Sequence, residues 1–163
     1  MVSRYDVATG ELIVPPLRRI GILDRKLRIV NENTDAYEEW LKWTIRAFEA
    51  SYGYEYQGDN VPIARINLLL TFTDYYEERW ERHPDDKVLQ QMANKIAWNI
   101  WQMDGLKDTV PLGKPYEEYR QMTLFEMFGD TQNEDEDEPE AVPCRIYNWR
   151  SNISMKFMDL KER

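Results

Sequence analysis

Two carboxylates stand at positions from which an acid could bind a ligand. Glu55 lies in "YGYEYQGD" and Asp104 in "NIWQMDGL", each at or near the end of a predicted short strand. Ligands of open α/β sheets bind at the carboxyl ends of the strands. An acid there can accept hydrogen bonds from a ribose diol or an exocyclic amine. The plainer reading, favoured by spacing alone, has Glu55 facing solvent and Asp104 starting a turn before Gly105.

Other chemistry-bearing residues are sparse. His83 precedes Pro84 in a charged turn with no nucleophile motif around it, and Cys144, between Pro143 and Arg145, reads as a buried thiol in a strand. With one cysteine and one histidine, the chain has no internal disulfide, thiolate zinc cage or His-rich metal site. The Met and Trp residues at helical spacing read as core. Acids are abundant, in "DYYEERWERHPDD" (Asp74, Glu77, Glu78, Glu81, Asp85, Asp86) and in "DTQNEDEDEPE" (Glu134, Asp135, Glu136, Asp137, Glu138).

The elements that must position these groups follow from pattern. The length of 163 residues suits one domain, and 42% hydrophobic with 13% aromatic residues marks a chain that folds. Residues 1–16 read as an arm ending in Pro15-Pro16. Leu17, Ile20, Leu23, Leu27 and Val30 predict a short basic amphipathic helix, weakened at Gly21. Asp35 with Glu38 three residues on resembles a capping box, opening a helix with Tyr37, Trp40, Leu41, Thr44, Ile45 and Phe48 on one stripe. A strand over 52–57 leads to Asn60 as a cap, with Pro62 in the first helical turn. The near-continuous apolar run that follows predicts burial on more than one side. A helix containing Val88, Leu89, Met92 and Ile96 comes next, then a strand ending at Asp104-Gly105. Residues 130–140 read as a solvated acidic loop. Residues 141–163 read as a hairpin turning at Ser151-Asn152 and packing on the same domain.

The net charge of −9 disfavours free nucleic acid or an anionic membrane as partner and favours a basic protein surface. No apolar run approaches a membrane span. The N-terminal sequence lacks the apolar stretch of a secretory signal, so a cytoplasmic location is expected.

The segments "ILDRKLRIVN", "YGYEYQGDNVPIARINLLLTF", "IAWNIWQMDGL" and "PCRIYNWRSNISMKF" resemble the adenine-specific DNA methyltransferases of restriction–modification systems, over residues 20–106 and more loosely 141–160. The resemblance implies an α/β fold, a partial Rossmann-like methyltransferase sheet over 17–129 with flanking helices and the C-terminal hairpin. It implies S-adenosylmethionine as cofactor, Glu55 as the acid holding the ribose hydroxyls, and Asp104 as the acid contacting the adenine amine. Two family motifs are missing. No two of the seven glycines lie two residues apart, as a glycine-rich cofactor loop requires, and the only Pro-Pro is in "IVPPLRR", not in an Asn/Asp-Pro-Pro-Tyr/Phe motif.

The expectation is a non-catalytic, methyltransferase-like acidic binding protein without a cofactor. Its partner would be a basic protein surface, such as a nuclease of a restriction or CRISPR system, that the acids at 74–86 and 134–138 would antagonise. The alternative is the S-adenosylmethionine-binding subunit of a split adenine-specific DNA methyltransferase, and a third is a decaying remnant.

Overall fold

The computed structural model describes residues 1–111 and 141–161. The chain forms two compact units, Met1–Trp101 and Gln102–Arg163. The dividing point is 101/102, whereas the sequence placed its boundaries near 16, 129 and 140, the last two outside the described residues. Secondary structure runs α1 (Ile22–Asn33), α2 (Tyr37–Glu49), β1 (Gly53–Glu55), α3 (Asn60–Trp80), α4 (Asp86–Asn99), β2 (Ile100–Gln102), β3 (Arg145–Asn148) and β4 (Ile153–Lys156). The class is mixed α/β: β1 and β2 form a small parallel pair, β3 and β4 an antiparallel hairpin.

The core of the first unit is aromatic. Trp40 of α2 packs against Phe72, Tyr76 and Trp80 of α3, with ring centroids 6.3, 5.7 and 5.9 Å away. Leu23 and Leu27 of α1 and Met92 and Ile96 of α4 complete the same cluster. Edge-to-face packing places the positive rim of one ring on the negative face of the next. Tyr75 is fully buried, and its hydroxyl donates to the Pro16 carbonyl at 2.8 Å.

Several local expectations are corrected. The first helix begins at Ile22, five residues later than the stripe predicted. Gly21 takes the N-cap position, where buried Asp24 reaches back to its N–H at 3.1 Å. Leu17 instead sits in a 3-10 turn, Pro16–Arg18, and Ile20 is exposed. Asp35 caps nothing: the N-cap of α2 is Ala36, and Asp35 lies 3.6 Å from Arg79. Asn60 is the first residue of α3, after Asp59, and its N–H donates to the Gln57 carbonyl at 3.1 Å. Helix α3 buries one face, through Leu68, Thr71, Phe72, Tyr75 and Tyr76, while Ile63, Ile66 and Leu70 remain 58%, 58% and 40% exposed. An apolar run along a helix cannot be buried all round when neighbours cover only one side of it.

Side chains close the helix ends that lead to the strands. The buried Asn99 amide donates to the carbonyls of Phe48, Glu49 and Ser51 at 2.8, 3.2 and 3.2 Å. Lys26 donates to the Ala50 carbonyl at 2.9 Å. These bonds satisfy orphan carbonyls at the end of α2, and the lysine adds a favourable charge at the negative pole of the helix. Arg65 of α3 does the same for α4 through the Ala97 and Ile100 carbonyls, at 3.1 and 2.7 Å. The chain is thereby held where it enters β1 and β2.

In the second unit, Asp108 has a left-handed φ of 57°. Its carboxylate accepts from the Lys161 ammonium at 2.6 and 2.8 Å. The hairpin pairs Arg145 with Lys156 through Asn148 with Ile153, and its turn contains Asn152 at φ 59°, as the Ser151-Asn152 signal predicts.

Candidate functional site

A cavity of about 370 Å³ in the first unit runs along β1 and past the start of β2. Its wall on α3 is built by Asn60, Ile63, Ala64, Asn67 and Leu68. These positions recur at the helical period, so one face of the helix's first two turns looks onto the space. Gly53, Tyr54 and Glu55 of β1, Ile100 of β2, and Met1 and Val2 of the N-terminal arm supply the rest. A Cβ on Gly53 would meet Met1 Cε at 3.2 Å and Ile100 Cδ1 at 3.4 Å, so both side chains lie close against the strand here.

Glu55 is the acidic side chain of this lining. Its Oε1 accepts the Gln57 N–H at 3.2 Å, while Oε2 accepts nothing from the described residues. The site therefore presents a half-buried carboxylate with acceptor capacity left, two carboxamides and apolar walls. That set can hold a hydroxyl-bearing ligand of small size whose flat or apolar part lies against Ile63, Leu68 and Ile100.

The arm that forms one wall is firmly tied. Ser3 N–H donates to Asp24 Oδ2 at 2.8 Å, and Ser3 Oγ accepts from the Ile20 and Gly21 N–H groups at 2.7 and 3.1 Å. Arg4 and Arg19, 7% and 1% exposed, both reach Asp74 Oδ2, at 2.9 and 2.7 Å. Arg4 Nε donates to the same oxygen at 2.9 Å. The Arg19 contact is close but out of line for a hydrogen bond, so its strength is mainly that of charge.

Asp104 lies in the second unit and serves its own turn. Its Oδ1 accepts the Leu106 and Lys107 N–H groups at 2.9 and 3.3 Å, and its carbonyl accepts from Asp108 N–H at 2.8 Å. This is an Asx turn, in which the side chain replaces a backbone acceptor. Among the predicted partner-binding acids, Glu77, Glu78, Glu81, Asp85 and Asp86 are exposed. Asp74 is not part of that solvated set, because the two arginines hold it inward. Glu134, Asp135, Glu136, Asp137 and Glu138 lie outside the described residues.

His83 is exposed and sits 2.7 Å from Glu77. Cys144 is buried, and its thiol is pushed up by burial and then by the charge of Asp108. Among the described residues no cluster of His, Cys, Asp or Glu side chains could hold a metal ion, and no helix is long and apolar enough to cross a membrane.

Sequence reasoning found Glu55 but not its companions. Asn60 and Asn67, seven residues apart, share a helix face and were readable from the period of α3. Met1 and Val2 reach the cavity through long-range bonds that no local pattern announces. Comparison of the chain with protein-family models, with curated proteins and with solved structures finds no match.

Proposed function

We propose that the chain is a non-catalytic, methyltransferase-like binding protein whose ligand is a nucleoside-bearing cofactor of the S-adenosylmethionine type, held at Glu55. It would act as the cofactor-binding subunit of a split adenine-specific DNA methyltransferase. The observation that carries this reading is the placement of Glu55, the last residue of β1, with Oε2 uncommitted, on a cavity that runs along that strand. The residues fit the nucleoside half of such a cofactor. Glu55 accepts the ribose hydroxyls, Asn60 and Asn67 offer donors and acceptors to a base edge, and the apolar side chains cover the base faces. When bound, the cofactor supplies an electrophilic methyl group. This chain's own residues bind and orient the nucleoside and keep water from one side of it.

The volume of about 370 Å³ stands at the low end of the roughly 300–1,000 Å³ typical of small-molecule sites. A second chain would supply the glycine-rich loop and the catalytic motif. Asp104, committed to its own turn, has no part in the proposal. Calorimetry with S-adenosylmethionine tests it, on the chain alone and with a chain that carries the glycine-rich loop and the catalytic motif. Binding that is weak alone, tighter with the second chain, and lost in both on Glu55→Ala is the expected result. Heat of binding that Glu55→Ala leaves unchanged contradicts it.

The second reading is that of an antagonist of a nucleic-acid-binding defence enzyme. It is favoured by the five exposed acids that gather where α3 ends and α4 begins, with Glu81 at a left-handed φ of 53° breaking the helix between them. Such a surface suits a cationic channel. Its binding to a candidate nuclease would weaken steeply with salt and with neutralisation of Glu77, Glu78, Glu81, Asp85 and Asp86. Salt-insensitive binding would remove it.

A further inference from the structure

A second cavity of the first unit, about 260 Å³, is lined by Leu17, Arg28, Asn31, Glu32, Glu78 and Arg79. It has no connection with the Glu55 site in its lining. Two cations and two anions face this one space, yet no ion pair forms between either arginine and either glutamate. Arg28 and Glu32 stand four residues apart on α1, a spacing at which such pairs normally close.

Each arginine is anchored elsewhere. Arg28 Nη2 donates to the Arg19 carbonyl at 2.8 Å, and Arg79 Nη2 donates to the Thr34 carbonyl at 2.7 Å. Their Nε–H groups are buried and make no hydrogen bond. Asn31 gives its carbonyl oxygen to the Trp40 indole N–H, which leaves its amide N–H groups as donors without a partner among the described residues. The guanidinium groups are therefore fixed in place, Arg79 also lying 3.6 Å from Asp35. The buried Nε–H groups are out of a ligand's reach, while the Nη1 groups make no hydrogen bond among the described residues and are left to one. The glutamates, both exposed, have full acceptor capacity.

We propose that this cavity binds a small zwitterion, an α-amino acid with an apolar side chain. A simple anion drawn to the arginines would meet Glu32 and Glu78, and a simple cation drawn to the glutamates would meet Arg28 and Arg79. A species carrying both charged groups on one carbon satisfies both sets at once. Its carboxylate lies against the Arg28 and Arg79 guanidinium groups and the Asn31 amide, in charge-assisted hydrogen bonds. Its ammonium donates to Glu32 and Glu78, and its side chain lies on Leu17. The volume suits a free amino acid rather than a peptide.

Leucine is the probe, titrated into the full chain by calorimetry and by amide chemical shifts of α1 and α3. Isocaproate carries the carboxylate alone and isoamylamine the ammonium alone. The proposal expects leucine to bind at least about tenfold more tightly than either, because each loses a set of charged hydrogen bonds. Glu32→Gln and Glu78→Gln, on exposed side chains that hold nothing in the fold, each weaken leucine about tenfold with the melting temperature unchanged. Three results overturn it: no shift of these amides with leucine, isocaproate binding as tightly as leucine, or both glutamine variants binding as the wild type does. None of these outcomes depends on Glu55, so the site stands or falls apart from the cofactor reading.

Discussion

Replacing Gly21 with alanine probes how the N-terminal arm is held against α1, and through the arm one wall of the Glu55 cavity. The backbone there is no obstacle, since Gly21 has φ −59° and ψ 160°, open to any residue. By the chain-entropy argument alone, the substitution would stabilise the protein by about 0.4–1 kcal/mol. The structure predicts the opposite sign. A Cβ at this position would stand 2.5 Å from the Met1 carbonyl oxygen, 2.5 Å from Asp24 Oδ2 and 2.7 Å from Val2 Cα. Two of those atoms are backbone, so the arm itself must move away. Four hydrogen bonds then weaken: Leu23 N–H to Met1 O, Ser3 N–H to Asp24, and the Ile20 and Gly21 N–H groups to Ser3 Oγ. At roughly 0.5–1.5 kcal/mol net for each bond, partly recovered by water, the loss comes to about 2–4 kcal/mol. For a chain of this size that lowers the melting temperature by about 10 °C. Thermal melts by circular dichroism read the shift, and hydrogen exchange at the Gly21 and Leu23 amides locates it. Because Met1 and Val2 line the cavity, adenosine affinity changes with it. A melting temperature equal to or above that of the wild type would refute the docking of the arm on Gly21.

The same arm is tied by charge. Asp74→Asn leaves Arg4 and Arg19 buried without a counter-ion and costs about 3–5 kcal/mol in urea denaturation; a loss below about 1 kcal/mol would mean that Asp74 is a surface acid after all. At high pH the Tyr37 phenol, pushed up to about 12 from the ordinary 10.0 by burial and then by the Tyr76 hydroxyl, gives a signed prediction. The stability it contributes is fully present below pH 10 and is lost as the pH rises through 12. Tyr37→Phe therefore flattens the stability profile over that window, with tyrosinate absorbance showing one late-titrating group fewer; superimposable profiles would contradict this.

How much of the molecule the sequence discloses depends on the range of the forces involved. Helix α2, the strand–turn–helix at 53–80 and the C-terminal hairpin follow from local periodicity and turn chemistry, and they stand within a few residues of where those signals put them. Asp35 matched the capping pattern, but its carboxylate is fully exposed, 3.6 Å from Arg79, and α2 opens one residue further on without a side-chain cap. Asp74 looked like one more surface acid because its partner Arg4 lies 70 residues away in the chain. Helix α3 was readable as a helix, while which of its apolar residues stay exposed depends on packing that composition does not encode. Glu55 was legible as a strand-end acid. The second cavity was invisible, since it brings Leu17, two turns of α1 and the end of α3 together from three separate stretches.

The most direct test of the account removes one hydroxyl and one charge together. Adenosine and 2′-deoxyadenosine are titrated into the wild type and into Glu55→Gln, giving a four-cornered cycle. A ribose diol held by the Glu55 carboxylate predicts that either change alone weakens binding about tenfold and that the two combined weaken it little further. Equal affinity of the wild type for the two nucleosides, or losses that simply add, would contradict the claim that this carboxylate is there to receive a ribose.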